Sequence, residues 1–279
     1  MTLHSPHPHS WFNDSEWTHA LGLTPIPAGG SLVIGSVKGV PAWHTPPWAL
    51  EAGWPENIDI DTWRSALEEA SIGLVACDLP AAMECDWGAP WHVQQRHTRW
   101  LTCDDSGQFP PLPKHRAKQA RKALSKGITI ENTSEVNKLV NLHQMARDRK
   151  SIPSDAQALE RLFKWMVQSP HQTSYIARDG DGVPAASATF LHNAGRTVYA
   201  FGGQKRSSVS GLATVLLIEQ GIRDAAAIGN RIFDFGGSSD PGVDRFYAEF
   251  GAEKVPRQRA VRMAWWARPW LRLMRPDLF

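Results

Sequence analysis

The chain has 279 residues, of which 42% are hydrophobic, and it carries 30 Lys and Arg against 28 Asp and Glu. This composition is typical of a globular protein and excludes the disordered, fibrous and disulfide-built classes. Its 3 cysteines include no C-x-x-C pair. We therefore expect no zinc or other metal site, and a reducing, cytoplasmic compartment. Met1–Trp11 lacks a basic segment followed by an apolar run, so we expect no signal peptide, and no stretch approaches the roughly 18 apolar residues that span a bilayer.

Charge is distributed unevenly along the chain. Residues 1–112 hold 4 basic and 13 acidic residues, a net charge of −9, whereas residues 113–279 hold 26 and 15, a net charge of +11. The proline-rich connector Ser106–Pro113 marks the change. We therefore predict two domains, 1–112 and 113–279, the second opening with a basic linking helix over 114–126. Any site for a polyanion is expected in the second domain.

The first domain shows a weak alternation of strands and helices. The predicted elements, in chain order, are a strand at Ser31–Ser36, a turn at Lys38-Gly39, an amphipathic helix at Asp61–Ala70 and a strand at Ile72–Cys77. The tetrapeptide Gly-Val-Pro-Ala occurs at 39–42 and again at 182–185, each time just after a predicted strand. This repeat favours a duplicated fold, with chance as the alternative.

The second domain has a clearer pattern. The predicted elements are helices at Lys114–Ser125, Val136–Met145 and Ser154–Val167, strands at Ile128–Glu131, Ser174–Arg178, Ala185–His192 and Thr197–Phe201, a long apolar helix at Leu212–Ile228 and a strand at Arg231–Phe235. A strand, a helix of that length and another strand predict a parallel crossover. The fold class is therefore α/β.

A tight loop, Ser208–Ala213, enters the long apolar helix. The start of a helix presents unpaired N–H groups and a partial positive charge, which together suit a pyrophosphate. Lys205 and Arg206 lie just upstream and can supply further positive charge. The alternative is a solvated turn capped by Ser210.

Several segments carry a family resemblance. Phe246–Ala252, which reads F-Y-A-E-F-G-A, resembles the stretch that follows the fifth strand in many GNAT acyltransferases. Phe233–Ser238, Gly242–Phe246 and the basic helix His115–Ala123 resemble, more narrowly, the Fem-type branch of that superfamily. Members of this branch duplicate the fold. The resemblance therefore implies a tandem GNAT-like fold of two mixed sheets flanked by helices, with a degenerate first copy.

The resemblance also implies a cofactor site. The family loop usually reads Q/R-x-x-G-x-G/A; Gly211 and Ala213 match it, whereas Ser208 replaces the basic or amide residue. The residues implied in binding acetyl-CoA or another acyl-CoA are Phe201, Gly202, Gly203, Lys205, Arg206, Ser208, Ser210, Gly211 and Ala213. The pantetheine arm would lie in a cleft between Thr197–Phe201 and Arg231–Phe235, against the exposed backbone of the two glycines. The alternative is that these glycines only turn the chain.

Two residues are candidates for acyl-transfer chemistry, which needs a base for the attacking amine and an acid for the leaving thiolate. Tyr247 is the acid candidate by its family position, with core packing as the alternative. Asp234 is either a base with a raised pKa or a paired group that holds the following glycine turn. Glu219, His192 and Asp240 are weaker candidates.

Three function classes remain open. The first is an N-acyltransferase that moves an acyl group, in particular acetyl, from coenzyme A to an amine acceptor such as an amino sugar or a cell-envelope intermediate. The second takes its acyl group from aminoacyl-tRNA, as peptidoglycan-bridge enzymes of the family do, with helix 114–126 contacting RNA phosphates. The third binds a ligand without catalysis. No DNA partner is expected.

The end of the chain, residues 257–275, mixes six arginines with Trp265, Trp266 and Trp270. Such a segment suits peripheral contact with anionic lipid or with a polyprenyl-linked substrate at a membrane surface, which would place the protein at the inner face of the membrane. The alternative is a final strand followed by a packed terminal helix.

Overall fold

A computed structural model describes residues 10–55, 57–193, 195–237 and 240–279. Most of the segment Met1–Trp11, where no signal peptide is expected, lies outside the described residues. Ser238, the last residue of the Phe233–Ser238 motif, also lies outside them.

The described chain alternates helices and strands. The helices are α1 (Ser15–Ala20), α2 (Ile60–Glu69), α3 (Lys114–Ser125), α4 (Val136–Asp148), α5 (Ala156–Met166), α6 (Ser210–Ala227), α7 (Pro241–Ala248) and α8 (Arg268–Met274), with short 3-10 turns at Trp11–Asn13 and Pro276–Leu278. The strands are β1 (Thr24–Pro25), β2 (Val33–Val37), β3 (Val40–His44), β4 (Leu74–Asp78), β5 (His92–Thr102), β6 (Thr129–Asn132), β7 (Gln172–Arg178), β8 (Pro184–Asn193), β9 (Arg196–Gln204), β10 (Ile232–Asp234) and β11 (Glu253–Met263).

The chain divides into two compact units. Unit 1 contains residues 1–98 and 255–279, and unit 2 contains residues 99–254. This division differs from the boundary predicted at residue 112, because the C-terminal segment belongs with the first unit. The physical reason is strand pairing: β11 pairs antiparallel with β4, from Arg259 opposite Asp78 to Met263 opposite Leu74.

The division also redistributes charge. Unit 1 holds 9 basic and 12 acidic residues, a net charge of −3, and unit 2 holds 21 and 16, a net charge of +5. The difference in net charge between the two units is therefore much smaller than that between residues 1–112 and 113–279. It shrinks because the six arginines of 257–275 belong to unit 1.

Unit 1 is a mixed sheet with a tryptophan-rich core. Its strands lie in the order β1-β2-β3-β4-β11, followed by the first part of β5. β3 and β4 are parallel and are joined through α2, whose first turn is capped by the Asp59 carboxylate accepting from the Thr62 N–H at 2.8 Å. Four tryptophans are buried in this core: Trp54, Trp63, Trp87 and Trp91. For these four rings, core packing rather than an exposed binding groove is the observed role.

Unit 2 is built around α6 and holds the other strands of the same mixed sheet, so the described strands form one 11-stranded sheet where the resemblance implied two. From the last part of β5 its strands lie in the order β5-β10-β9-β8-β7-β6. β9 and β10 are parallel and α6 connects them, so the predicted crossover is confirmed. α6 packs its apolar residues, among them Leu217 and Ile218, with Phe190 and Phe233 of the sheet. Both units thus confirm the α/β class.

The Gly-Val-Pro-Ala repeat marks two hairpin turns. Gly39 joins β2 to β3 with a φ of +81°, and Gly182 joins β7 to β8 with a φ of +79°. Such positive φ values favour glycine. The shared architecture, however, is the crossover β3–α2–β4 in unit 1 and β9–α6–β10 in unit 2. The first copy of the repeat is followed by β3, the strand that begins the crossover of unit 1. The second copy is followed by β8, which precedes the strand that begins the crossover of unit 2. The two copies therefore occupy different places in the two units, and the repeat reflects the residue types that a hairpin turn needs.

Candidate active site

The pairing between β9 and β10 in unit 2 covers only the first part of β9. The two strands pair only from Arg196 opposite Ile232 to Val198 opposite Asp234, whereas β9 continues to Gln204 alongside β8. The β8–β9 register shifts by one residue next to Thr189, so Ala200 forms a bulge in β9. A bulge bends a strand and increases its twist. The strands predicted to border the pantetheine arm are therefore neighbours that diverge after Val198.

Gly202 and Gly203 lie inside β9 and do not turn the chain. A Cβ on Gly203 would lie 2.6 Å from the backbone N of His143, so a side chain there would displace α4. A Cβ on Gly202 would lie 2.1 Å from the Tyr199 hydroxyl. The Gly202 carbonyl accepts a hydrogen bond from His143 Nδ1 at 3.0 Å. The glycines therefore allow close packing of α4 and of Tyr199 against the strand.

The loop after β9 is exposed and ends in a capped helix start. Ser207 Oγ accepts from the Ser210 N–H at 3.2 Å, and Ser210 Oγ donates to the Ser207 carbonyl at 2.9 Å. Lys205, Arg206 and Ser208 are exposed beside this cap. Ser210 is thus the first residue of α6 and does not cap it; the hydroxyl that accepts a helix N–H is that of Ser207, beside two solvent-facing cations.

The first turn of α6 is open on the side of Gly211. A Cβ on Gly211 would meet nothing within 4 Å. Within the described part of the chain, the N–H groups of Gly211 and Leu212 have no acceptor, whereas the Ala213 N–H donates to the Val209 carbonyl at 2.9 Å. The start of α6 thus has two backbone donors without an acceptor among the described residues, and the space next to the Gly211 Cα is open.

Two further predicted cofactor residues point into the core. Ala213 is fully buried in the core around α6. Phe201 is buried against Phe163 and His143, with ring centroids 4.9 and 5.5 Å away. Their side chains position the loop and the strand, and any contact they make with a ligand comes from the backbone.

Tyr247 lies on α7 with its ring against the end of the sheet. Its ring centroid is 5.0 Å from that of Phe235 and 6.2 Å from that of Tyr199. Among the described residues its hydroxyl has no hydrogen-bond partner. Burial, with smaller contributions from Tyr199, Asp234 and Asp240, raises the pKa of Tyr247 well above its ordinary value. The hydroxyl is therefore protonated at neutral pH and can donate.

A bidentate ion pair holds α7 in place. Arg99 Nε and Nη2 donate to the two carboxylate oxygens of Asp244 at 2.7 and 2.8 Å, and Nη1 donates to the Ala252 carbonyl at 3.2 Å. Such planar pairs fix orientation as well as distance. Arg99 thereby sets the position from which Tyr247 projects.

Asp234 is buried and engaged. Its Oδ1 accepts from the Gly236 N–H at 2.8 Å, and its Oδ2 lies 3.7 Å from Arg196 Nη1. Gly236 and Gly237 both have positive φ, so this carboxylate braces the turn that follows β10. These contacts favour the positioning interpretation of Asp234 over that of a free base.

The connection between α4 and α5 reaches the start of α7. Lys150 Nζ lies 2.6 Å from Asp240 Oδ2, and Asp240 Oδ1 accepts from the Gly242 N–H at 2.8 Å. Bonding to Lys150, then to Val243 and Gly242, lowers the pKa of Asp240. Sequence reasoning named Asp240 as a weaker candidate and missed Lys150, Tyr199 and His143. Lys150 reaches the start of α7 only through its pairing with Asp240, which is 90 residues away, and no local sequence pattern indicates this contact.

Glu219 and His192, which the sequence also marked as weaker candidates, lie elsewhere in unit 2. Glu219 pairs with Arg223 at 2.6 Å, one turn along α6. His192 Nε2 and Nδ1 lie 2.8 and 3.0 Å from the hydroxyls of Thr173 and Thr197, at the opposite end of the β8–β9 pair from the glycines. Neither side chain is placed at the cleft by these contacts.

The basic helix α3 has one buried and several exposed cations. Arg116 is 3% exposed; its Nη2 donates to Glu249 Oε2 at 2.8 Å and to the Phe246 carbonyl at 3.0 Å. Its guanidinium also lies over the Phe246 and Phe250 rings. Arg116 therefore ties α3 to α7 and is not available to RNA. The exposed cations are Lys114, Lys118, Arg121, Lys122 and Lys126.

In the described ranges, no helix is long and apolar enough to cross a membrane. Across the same residues, no group of three or more His, Cys, Asp and Glu side chains is arranged to hold a metal ion.

Comparisons with known proteins agree with this architecture. Residues 114–249 match the family described as "Acetyltransferase (GNAT) domain". No curated protein sequence matches the chain. Among solved structures, FemX has a TM-score of 0.66 at 10% identity, covering 97% of this chain and 95% of its own. L-PGS from Bacillus licheniformis has a TM-score of 0.62 at 10% identity, covering 95% and 92%.

A third structure is the C-terminal domain of a putative lysylphosphatidylglycerol synthetase from Agrobacterium fabrum. Its TM-score is 0.60 at 12% identity, and the match covers 88% of this chain and 84% of that one. At such identities these three similarities establish a shared fold.

Proposed function

We propose that unit 2, in which residues 114–249 match the GNAT acetyltransferase domain, transfers an acyl group, in particular acetyl, from coenzyme A to an amine. The chain as a whole shares its fold with FemX. The observation that carries the proposal is the open first turn of α6. There the backbone donors of Gly211 and Leu212 have no acceptor among the described residues, and the exposed Lys205 and Arg206 lie just before them in the chain.

This helix start suits a pyrophosphate. Two unpaired N–H groups, the partial positive charge of an 18-residue helix and two nearby cations all favour a dianion. Glycine inside a helix costs about 1 kcal/mol relative to alanine. Nothing in the fold requires a glycine at 211, since a Cβ there would meet no atom. A phosphate lying against the bare backbone supplies the reason.

The pantetheine arm would then follow the separated edge of β9 toward Tyr199 and Tyr247. The Gly202 carbonyl is already taken by His143, so amide pairing with the arm falls to the backbone on either side of it. The thioester would lie near the Tyr247 hydroxyl.

The reaction is an addition followed by an elimination. The amine nitrogen bonds to the thioester carbon, the C–S bond breaks, and the amine gives up one proton while the thiolate gains one. We assign to Tyr247 the donation of the proton or strong hydrogen bond to the departing sulfur. Asp234, predicted as the second catalytic residue, is assigned to holding the turn after β10 through Gly236.

An aminoacyl-tRNA donor is the second candidate. It is favoured by α3, which exposes Lys114, Lys118, Arg121 and Lys122 on a 12-residue helix, with Lys126 just after it. Cations in such number suit RNA phosphates. A ligand-binding protein without catalysis is the third possibility.

The acceptor is proposed to be an amine of a cell-envelope precursor. The structures named FemX and lysylphosphatidylglycerol synthetase support this class. We place the protein in the cytoplasm, where its free cysteines stay reduced, at the inner face of the membrane.

The C-terminal segment of unit 1 supports membrane contact. Trp265 is 82% exposed, Leu273 74%, Trp266 50% and Trp270 48%. Only Leu271 of α8 is buried. Trp and Leu side chains beside the exposed Arg268 and Arg272 suit the headgroup region of an anionic bilayer. The segment does form a final strand and a terminal helix, but most of the helix surface is uncovered.

Thermal shift measurements with acetyl-CoA, a long-chain acyl-CoA and tRNA test the proposal. A ligand at 100 times its Kd stabilises the folded state by about 2.7 kcal/mol, enough to raise Tm by several degrees. Stabilisation by an acyl-CoA supports the main proposal and identifies the chain length. Stabilisation by tRNA alone supports the second candidate, and no effect of any of the three leaves the non-catalytic class.

A further inference from the structure

Three arginines in unit 1 converge on one carboxylate. Arg259 forms a fork with Asp78, with Nε 2.9 Å from Oδ1 and Nη2 2.5 Å from Oδ2. Arg96 Nη1 and Arg257 Nη2 lie 3.6 and 3.8 Å from the same Oδ1. β4, β11 and β5 are adjacent in the sheet, which brings these four side chains to one face.

The cluster has an excess of positive charge. In the described ranges, Asp78 is the one carboxylate within 4.0 Å of these three guanidinium groups. The nearby Asp277 forms its own fork with Arg275, both contacts being 2.8 Å. Among the residues that the structure describes, three cations therefore share one contacting anion, which is an excess of two positive charges.

Burial makes this excess costly. Asp78 is 4% and Arg257 9% exposed, and removing unpaired charge from water is unfavourable. Arg257 gives one donor to the Leu50 carbonyl, yet its Nε is buried with no hydrogen-bond partner among the described residues. Burial and then the neighbouring Arg259 lower the pKa of Arg96. An added anion would relieve each of these effects.

We propose that Arg96, Arg257 and Arg259 form a binding site for a phosphate group. A phosphate monoester carries close to two negative charges, which equals the excess, and planar guanidinium forks match its oxygens. The Arg96 side chain is 38% exposed, so the site is open to solvent on that side. The proposal does not depend on the acyl donor used by unit 2.

Isothermal titration calorimetry with inorganic phosphate at constant ionic strength tests the site. Wild type is expected to bind one phosphate with a Kd of about 1 mM or tighter. Arg96→Gln should weaken binding by about tenfold, and Arg96→Lys by less, since it keeps the charge but loses the fork. Arg96 is part-exposed and the Arg259–Asp78 fork remains, so this variant should fold.

Two controls separate this site from other cations. Arg64→Gln removes a part-exposed arginine of unit 1 that pairs with Asp61 at 3.1 Å, and it should bind as wild type does. Lys205→Gln with Arg206→Gln removes the cations beside α6. The proposal is wrong if wild type does not bind phosphate, if Arg96→Gln binds equally well, or if only the Lys205/Arg206 variant loses binding.

The phosphate can belong to a soluble compound or to a lipid. Sedimentation with vesicles containing phosphatidic acid, against vesicles of phosphatidylcholine alone, distinguishes them. If Arg96→Gln weakens both phosphate binding and the preference for phosphatidic acid, the source is a lipid headgroup. If it weakens only the former, the source is soluble. Both results support the site.

Discussion

The rings of Tyr199 and Tyr247 meet edge to face, with centroids 6.2 Å apart and planes at 80°. Tyr199 belongs to β9 and Tyr247 to α7, so this contact joins the strand proposed to hold the acyl arm to the proposed acid. Burial raises the pKa of both hydroxyls, which keeps both protonated at neutral pH.

Tyr247→Phe should lower turnover while leaving acyl-CoA affinity within a few-fold of wild type. The change removes one hydroxyl and keeps the ring that packs on Phe235. We expect kcat to fall on the order of 10²-fold, as for a lost acid–base group. The assay follows thiol release across a panel of amines.

Tyr199→Phe is the matched control, since it removes a second raised-pKa hydroxyl from the same ring pair. It should reduce turnover less than Tyr247→Phe does. Full turnover in Tyr247→Phe would assign Tyr247 to core packing, and unfolding of that variant would make its hydroxyl structural.

The sequence predicted the elements whose signals are local. The buried β9–α6–β10 crossover has long apolar runs, and its three elements were predicted to within three residues of their ends. The predicted cap at Ser210 was wrong, because Ser210 is already the first residue of the helix. The pairing of β11 with β4 was missed. Arg259 and Asp78, which pair across these strands, are 181 residues apart, and no local sequence pattern indicates that the two strands are neighbours. For the same reason Arg116, which looks like any other cation of α3, was predicted to face RNA and is instead buried against Phe246.

Stability should fall between about pH 6.5 and pH 4 because of His143. Burial lowers its pKa to about 4, and its Nδ1 donates to the Gly202 carbonyl, so the folded state keeps it neutral. The unfolded state binds a proton below about pH 6.5, which favours unfolding as the pH drops. This effect is complete below about pH 4.

His143→Asn isolates the effect, because an amide can keep the bond to Gly202 without titrating. Between pH 7 and pH 5 the free energy of unfolding of wild type should drop by roughly 2 kcal/mol more than that of the variant. Urea unfolding at the two pH values measures this difference. Equal drops would show that His143 titrates normally in the folded protein.

If tRNA is the donor, the exposed face of α3 should contact it. Replacing Lys118, Arg121 and Lys122 with Gln should weaken tRNA binding and reduce the slope of log K against log salt by about 2 to 3. Replacing Lys138, Lys164 and Lys254 of unit 2 with Gln is the charge-matched control. Filter binding at several salt concentrations measures both, and equal slopes would remove α3 as the contact.

The exposed apolar side chains of the C-terminal segment, Trp265 before α8 and Leu273 within it, should bind anionic vesicles. Trp265→Ala with Leu273→Ala should reduce partitioning into phosphatidylglycerol vesicles by at least about tenfold, since both side chains are free to enter the interface. Ile228→Ala, which removes an exposed apolar side chain from unit 2, should have no effect. If wild type does not bind vesicles, the proposal of membrane contact is wrong. A dimer detected by analytical ultracentrifugation would then indicate that this surface binds a second copy of the chain.

The most direct measurement is calorimetric titration of acetyl-CoA into wild type and into Arg206→Glu with Gly211→Asp. Space around Gly211 accommodates a side chain, and a carboxylate at a helix start is stabilising, so the variant should fold. A variant with Lys254→Glu and Lys164→Gln, which also lowers the net charge by three, controls for net charge. The account predicts binding to wild type and to the control, and none to the folded double variant. No binding to wild type, or unchanged binding to the double variant, would contradict it.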